Sequence, residues 1–263
     1  MRICRFITPG LPAPRYGIIG VDSIRPLTQG VTLPDSSTPR TDEPISLTSV
    51  QIVAPVTPSK IVCVGRNYKE HAAELGNPMP TEPLLFLKAP SAIIGDGETI
   101  SLPPESSKVE HEGELGVVIG RTASHLPDED DALSYVLGYT CVNDVTARDL
   151  QRKDVQFTRA KSFDTFCPVG PFIVTDLDPS NLQVTTRVNS EVRQQGRTSA
   201  MAFPVAYLVR YISRIMTLYP GDLISTGTPA GVSALHDGDT VEVEVEGVGT
   251  LRNEARSMRR TGV

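Results

Sequence analysis

A chain of 263 residues and 28.4 kDa is long enough to bury a substantial core, either as one large domain or as a small domain beside a larger one. Its net charge of −6, its pI near 5.3 and the lack of any basic block exclude nucleic acid or an anionic membrane surface as the main partner, so a small anionic substrate would need a metal or a few placed cations. With 22 prolines, 21 glycines and few long helical patterns, the chain reads as β-rich with many turns, while the absence of Trp argues against aromatic cages and base-stacking platforms.

The first residues, MRICRFITPG, lack a signal-type apolar core, and no run of about 18 apolar residues occurs anywhere, which predicts a soluble, cytoplasmic protein with no membrane partner. Short strands are expected over Arg2 to Ile7, Tyr16 to Val21 and Ile24 to Leu27, forming a small N-terminal β domain over residues 1–58. A polar, proline-bearing stretch, Leu33 to Pro44, precedes the apolar strand Lys60 to Val64, where a larger domain, 59–263, begins. Cys4, Cys63, Cys141 and Cys167 are widely spaced and form no CxxC pair, so they read as reduced core thiols.

In GRNYKEHAAELGNPMP, Asn67 can cap a short helix, with Glu70 three residues on as in a capping box and Gly76 and Pro78 to end it. His71 and Glu74 then share one face, so the carboxylate can orient the imidazole. A helix of about eight residues is marginal alone and would order only over something beneath it. Spacing alone favours a solvated surface helix.

Leu84 to Leu87 and Ile93 to Ile94 read as strands, with Lys88 between them. Val109 to Gly120, VEHEGELGVVIG, ends as a buried strand but begins with Glu110, Glu112 and Glu114, which a continuous strand would line up on one face. Crowded like charge needs neutralising, and a divalent cation or simple solvation at a polar strand end would each serve. After a short acidic helix over Asp128 to Leu137, the strand Val136 to Val142 runs into Asn143 and Asp144, placing a carboxylate at a strand end, as sites often do. Thr146 to Phe157 reads as one irregular helical turn presenting Arg148 and Gln151. Lys161 follows, and a lone lysine is ordinarily solvated.

The strongest helical pattern is Pro204 to Leu218, with apolar residues at helical spacing from Val205 to Met216 and Pro220 with Gly221 to stop it. Asp222 to Ser225 and Thr240 to Glu246 follow as strands, the second alternating valine and acid. Between them TGTPAGV forms a tight turn whose N–H groups and Thr228 hydroxyl could hold a carboxylate.

Taken together, GRNYKEHAAE, HEGELGVVIG, GYTCVNDVTARDLQ, AKSFDTFCPVGP, LYPGDLISTGTPAGV and EGVGTLRN resemble, in this order, the fumarylacetoacetate hydrolase family from about Ser59 to Glu254. The resemblance implies a mainly β (α+β) fold, a mixed β-sandwich roll that is usually dimeric, with an acidic Mg²⁺ or Mn²⁺ site at which Ca²⁺ would also be accommodated. By position Glu112, Glu114 and Asp144 match the metal ligands, and Glu110 falls outside the pattern. His71 and Glu74 match the catalytic pair on the family's lid, and Lys161 matches its active-site lysine. Arg66, Arg148, Gln151, Lys161 and Thr228 are the expected substrate contacts. One departure is visible, at Ala200, Met201 and Ala202, where the family often carries an aspartate and a bulky apolar residue; this segment is expected to bear on packing or dimer contacts and not on the chemistry.

The implied activity is divalent-metal-dependent hydrolysis of a C–C bond in a 2,4-dioxo acid such as fumarylpyruvate or acetylpyruvate, with a stabilised pyruvate enolate departing. His71, oriented by Glu74, would activate water, and Lys161 would offset the developing negative charge. Decarboxylation of oxaloacetate, or keto–enol isomerisation of a diene diacid from aromatic catabolism, uses the same groups. A non-catalytic organic-acid binding protein on the same fold is the reading from another class.

Overall fold

The computed structural model describes residues 1–28, 33–34, 38 and 43–258, the side chains of Leu11 and Pro12 excepted, so most of the stretch Leu33 to Pro44 lies outside the described residues. Two sheets dominate. Ten strands of the larger run in the spatial order Ile45–Ser46, Ser23–Pro26, Leu11–Ile19, Arg2–Thr8, Cys167–Val174, Val136–Asn143, Gly113–Ile119, Leu223–Ser225, Ile61–Gly65, Leu84–Lys88. Gln51–Val53 and Ile93–Ile94 attach beside this path, to Arg2–Thr8 and Cys167–Val174. The second sheet runs Glu191–Arg197, Gln183–Val188, Thr240–Val245, Gly249–Ser257, Thr99–Leu102. The fold is thus mainly β, a mixed sandwich, as expected. The N-terminal strands join the larger sheet through the pairing of Ile3 with Ile173.

The layers form because each sheet offers one apolar face to the other. Leu115 and Val117 of the larger sheet meet Val184, Val243 and Val245 of the smaller, and Leu208, Val209 and Ile212 of the helix Val205–Ile215 close the same core. In Thr240–Val245 the three valines are buried and the intervening polar residues are not, which is the alternation expected of a one-sided sheet. The opposite face of the larger sheet buries Cys63, Val118, Val142 and Cys167. All four cysteines are buried and free.

Helical expectations fare less evenly. The helix expected over Pro204 to Leu218 stops at Ile215, because Met216 adopts an extended backbone and Leu218 is drawn into a bridge with Ala123. The acidic helix expected over Asp128 to Leu137 shrinks to one 3₁₀ turn, Ala132–Tyr135, capped by Asp131, since Val136 already belongs to a strand. Among the described residues, no helix is long and apolar enough to cross a membrane.

Candidate active site

The acidic stretch is not one strand. Val109–Glu110 pairs with Thr146–Ala147, His111 and Glu112 leave the ladder, and Gly113–Ile119 resumes between Val136–Asn143 and Leu223–Ser225. The break has a physical cause: the Glu112 N–H goes to Asn143 Oδ1 (2.9 Å) and the Gly113 N–H to Gln194 Oε1 (3.0 Å), so side chains replace ladder partners. A Cβ on Gly113 would stand 2.0 Å from Thr186 Oγ1, so only glycine lets the second sheet approach here. Glu110, expected beside the other two, is separated by the break and turns to Arg148 Nε (2.6 Å) and Lys108 Nζ (2.9 Å).

Glu112, Glu114 and Asp144 converge, each offering a carboxylate oxygen within 4.8 Å of the others, all buried. Asp144 follows directly on Val136–Asn143, and its N–H donates to Glu112 O (2.8 Å), which fixes the two carboxylates' segments together. Two of the three carboxylates are paired with cations. Lys161 Nζ lies 2.6 Å from Asp144 Oδ2 and 2.8 Å from Glu112 Oε2, Lys88 Nζ lies 2.6 Å from Asp144 Oδ1, and Arg148 Nη2 bonds Glu112 Oε1. Glu114 is different: Ser225 Oγ (2.5 Å) and the Gly227 N–H (2.7 Å) donate to its Oε2, and among the described residues no cation pairs with it.

The electrostatics follow from that asymmetry. Burial, with the charges of Asp144 and Glu112 beside it, pushes the Glu114 carboxyl up to about 8. Burial also acts on Glu112, but Lys161 and Arg148 outweigh it and hold that carboxyl well below the usual range. Lys161 is raised, because Asp144 and Glu112 overcome its own desolvation. The three cations of the cluster all face Glu112 and Asp144, and Glu114 has none beside it. Three convergent hard oxygen donors, one of them without a cation partner, could hold a divalent cation, and their chemistry suits Mg²⁺, Mn²⁺ or Ca²⁺.

The short helix Lys69–Glu74 brings His71 to the cavity that these carboxylates also line. Its expected cap fails: Tyr68 occupies the N-cap without a side-chain bond, and Glu70 is exposed. Asn67 is engaged elsewhere, donating to Thr226 O (2.7 Å) and Phe203 O (3.1 Å) and accepting from the Phe203 N–H (2.8 Å). The Ala200 to Ala202 segment packs at the same root, with Met201 buried and bridged to Tyr68 and the Ala202 N–H donating to Asn67 O (2.8 Å). At the helix's other end Glu74 accepts from the Gly231 N–H (3.1 and 3.2 Å). The surface beneath the helix is therefore the TGTPAG turn itself. His71 is buried, with Nδ1 3.3 Å from Glu74 Oε2.

His71, Glu112, Glu114, Asp144, Lys161, Arg66, Arg148, Gln151 and Thr228 all line one cavity of about 250 Å³. Glu74 does not line it and reaches it only through His71. Arg66 sits at φ 57° and, like Arg152, which also lines the cavity, has no carboxylate partner among the described residues. Arg148 is buried and bonds Glu110, Glu112 and Gln151 Oε1, which turns the Gln151 amide nitrogen free for other contacts. Thr228 Oγ1 donates to Gly113 O (2.8 Å).

Sequence reasoning passed over Lys88, Asn143 and Gln194 as site residues. Lys88 had a signal, a lysine closing the apolar run LLFLK with a side chain that proves fully buried. Gln194 had none, since it lies in a strand the polar sequence EVRQQGR does not announce.

Residues 60–256 match the family described as Fumarylacetoacetate (FAA) hydrolase C-terminal, and residues 1–55 the family described as Rv2993c-like, N-terminal. Among relatives, Protein Rv2993c of Mycobacterium tuberculosis is 53% identical over 210 residues, covering 79% of each chain. The mitochondrial oxaloacetate tautomerase FAHD2A of Bos taurus is 45% identical over 218 residues, covering 78% of this chain and 69% of its own. The crystal structure of a 5-carboxymethyl-2-hydroxymuconate delta-isomerase from Mycobacterium smegmatis superposes with a TM-score of 0.90 at 44% identity, covering 98% of this chain and 100% of that one.

Proposed function

Because the chain belongs to the fumarylacetoacetate hydrolase family, we propose that it is a divalent-metal-dependent keto–enol tautomerase or isomerase of a small 2-oxo dicarboxylic acid, oxaloacetate or a 2-hydroxy-diene diacid. The observation that carries this reading is the opening of one buried imidazole and one buried carboxylate triad onto the same small cavity. The family enzymes' relatives named as a tautomerase and an isomerase support it over cleavage.

Glu112, Glu114 and Asp144 would hold the cation, which when bound supplies Lewis-acid stabilisation of negative charge on a substrate oxygen. The rest is work for this chain's own residues. His71 has Nδ1 turned to Glu74, which leaves Nε2 to take a proton from the substrate carbon beside the 2-oxo group. Glu74 holds the imidazole in that tautomer, and Gly231 holds Glu74. The same proton is returned to the enol oxygen, or to a more distant carbon of a conjugated diene, so one proton moves and nothing is consumed. Lys161 contributes positive charge to the developing enolate. The amide nitrogen of Gln151 serves one substrate carboxylate, and Arg66 and Arg152 serve the second.

The test sets oxaloacetate, fumarylpyruvate and acetylpyruvate side by side with Mg²⁺ or Mn²⁺. Enol-to-keto conversion of oxaloacetate should be accelerated, seen as loss of enol absorbance, without matching release of carbon dioxide. Hydrolysis of either acylpyruvate outrunning tautomerisation would overturn the reading in favour of C–C bond cleavage, for which His71 would activate water instead.

A further inference from the structure

The two glutamates of the triad flank Gly113, the first residue of its strand, whose backbone groups bond side chains. Gly113 gives its N–H to Gln194 Oε1 and its carbonyl to the Thr228 hydroxyl. Gln194 comes from the other sheet, in Glu191–Arg197, where it is 0% exposed although five of the strand's seven residues face solvent. A buried primary amide is costly unless every donor and acceptor is met. Here all are met: Oε1 accepts from the Gly113 N–H (3.0 Å) and faces His111 Nδ1 (3.1 Å), while Nε2 donates to Thr228 Oγ1 (2.7 Å) and Pro229 O (2.7 Å).

The orientation of that amide is forced. Gly113 N can only donate and Pro229 O can only accept, so the oxygen must face the acidic segment and the nitrogen the turn. Thr228 Oγ1 must then accept from Gln194, and its own proton goes to Gly113 O (2.8 Å). The result is a closed ring, Gly113 to Gln194 to Thr228 and back to Gly113. It locks the peptide between Glu112 and Glu114 to the turn whose Gly227 N–H also holds Glu114. The turn is pressed home on its far side, since a Cβ on Gly231 would stand 1.9 Å from Arg193 O.

We propose that Gln194 is the positioning residue of the carboxylate triad, setting the separation of Glu112 and Glu114 from the opposite sheet and fixing the Thr228 hydroxyl as an acceptor. Gln194 does not line the cavity. It acts by preorganisation, so that a cation entering the triad meets ligands already in place. The inference rests on reading Glu112, Glu114 and Asp144 as a cation site.

The experiment is calorimetric titration of the purified full chain with Mn²⁺, at a temperature where circular dichroism shows every variant folded. Gln194→Leu should bind Mn²⁺ about 10- to 100-fold more weakly than wild type. Thr228→Val, which removes the second member of the ring while keeping its shape, should weaken Mn²⁺ binding in the same direction and serves alone if Gln194→Leu does not fold. Val192→Thr, an exposed change on the same strand, should bind as wild type does. A purely structural glutamine would lower the melting temperature and leave the Kd unchanged; that result in either ring variant overturns the positioning role. A wild-type chain that takes up no Mn²⁺ overturns the cation site itself, and the proposal with it.

Discussion

The carboxylate triad and the helix above it are built on opposite principles. Every charged group of the triad is buried, and the segments that bear them are tied to one another and, through Gln194 at Gly113, to the second sheet. The helix Lys69–Glu74 is six residues long, has no side-chain cap, and is attached mainly at its ends, by Asn67 to Thr226 and Phe203 and by Glu74 to Gly231. Charge stabilisation works best when dipoles and ions need not reorganise in a water-poor site. Proton transfer needs a group that substrate can pass on its way in. Under the proposed tautomerisation, the lower half would set whether charge can be held at all, and the upper half how fast a proton moves.

This division can be tested in four ways. The largest effect is expected from Glu114→Gln, which keeps the acceptor for Ser225 and Gly227 but removes the charge: Mn²⁺ affinity measured by calorimetry should fall by more than about 100-fold, and activity with it. An active, metal-free Glu114→Gln protein would end the distinction. His71→Ala should cut turnover by about 10²- to 10⁴-fold while the Mn²⁺ Kd stays within twofold of wild type. A parallel loss of metal binding would mean that the two halves are one unit.

The third is pH. Because the Glu114 carboxyl is raised to about 8 and a ligand must be deprotonated, Mn²⁺ affinity should fall up to about tenfold per pH unit as pH drops below about 8, and level off above it. The same shift has a stability consequence in the metal-free chain. The folded state holds this proton more tightly than the unfolded state, with its ordinary value of 4.5, so the contribution is full below 4.5 and is lost as pH rises to about 8. The melting-temperature advantage of Glu114→Gln over wild type should therefore grow across that window in calorimetric scans. The smallest effect belongs to Glu74→Gln, about tenfold or less in turnover, since glutamine can still accept from Gly231 and His71 would lose orientation only in part.

How much of this could be read beforehand depended on whether a residue's role was local. The helix Val205–Ile215 and the strand Thr240–Val245 were legible because their burial pattern repeats within a few residues. The triad was legible as crowded acid beside an apolar run and as a carboxylate at a strand end, sharpened by the family resemblance. The break at His111 and Glu112 was not, because the groups that cause it, Asn143 and Gln194, are 31 and 81 residues away from the N–H groups they satisfy. Asn67 failed as a cap for the same reason: its side chain finds better partners 136 and 159 residues on. Tertiary hydrogen bonds overrode the local rule at the places where the site is assembled.

Leu223–Ser225 lies parallel to Ile61–Gly65, so the two strands end on the same side, and the segments that follow them, Arg66 to Glu74 and Thr226 to Gly231, leave the sheet together. Parallel neighbours so far apart in sequence form late, after the loop between them has been closed. During refolding, then, recovery of metal binding should trail the return of bulk β structure, and no fragment ending before residue 222 can carry the site.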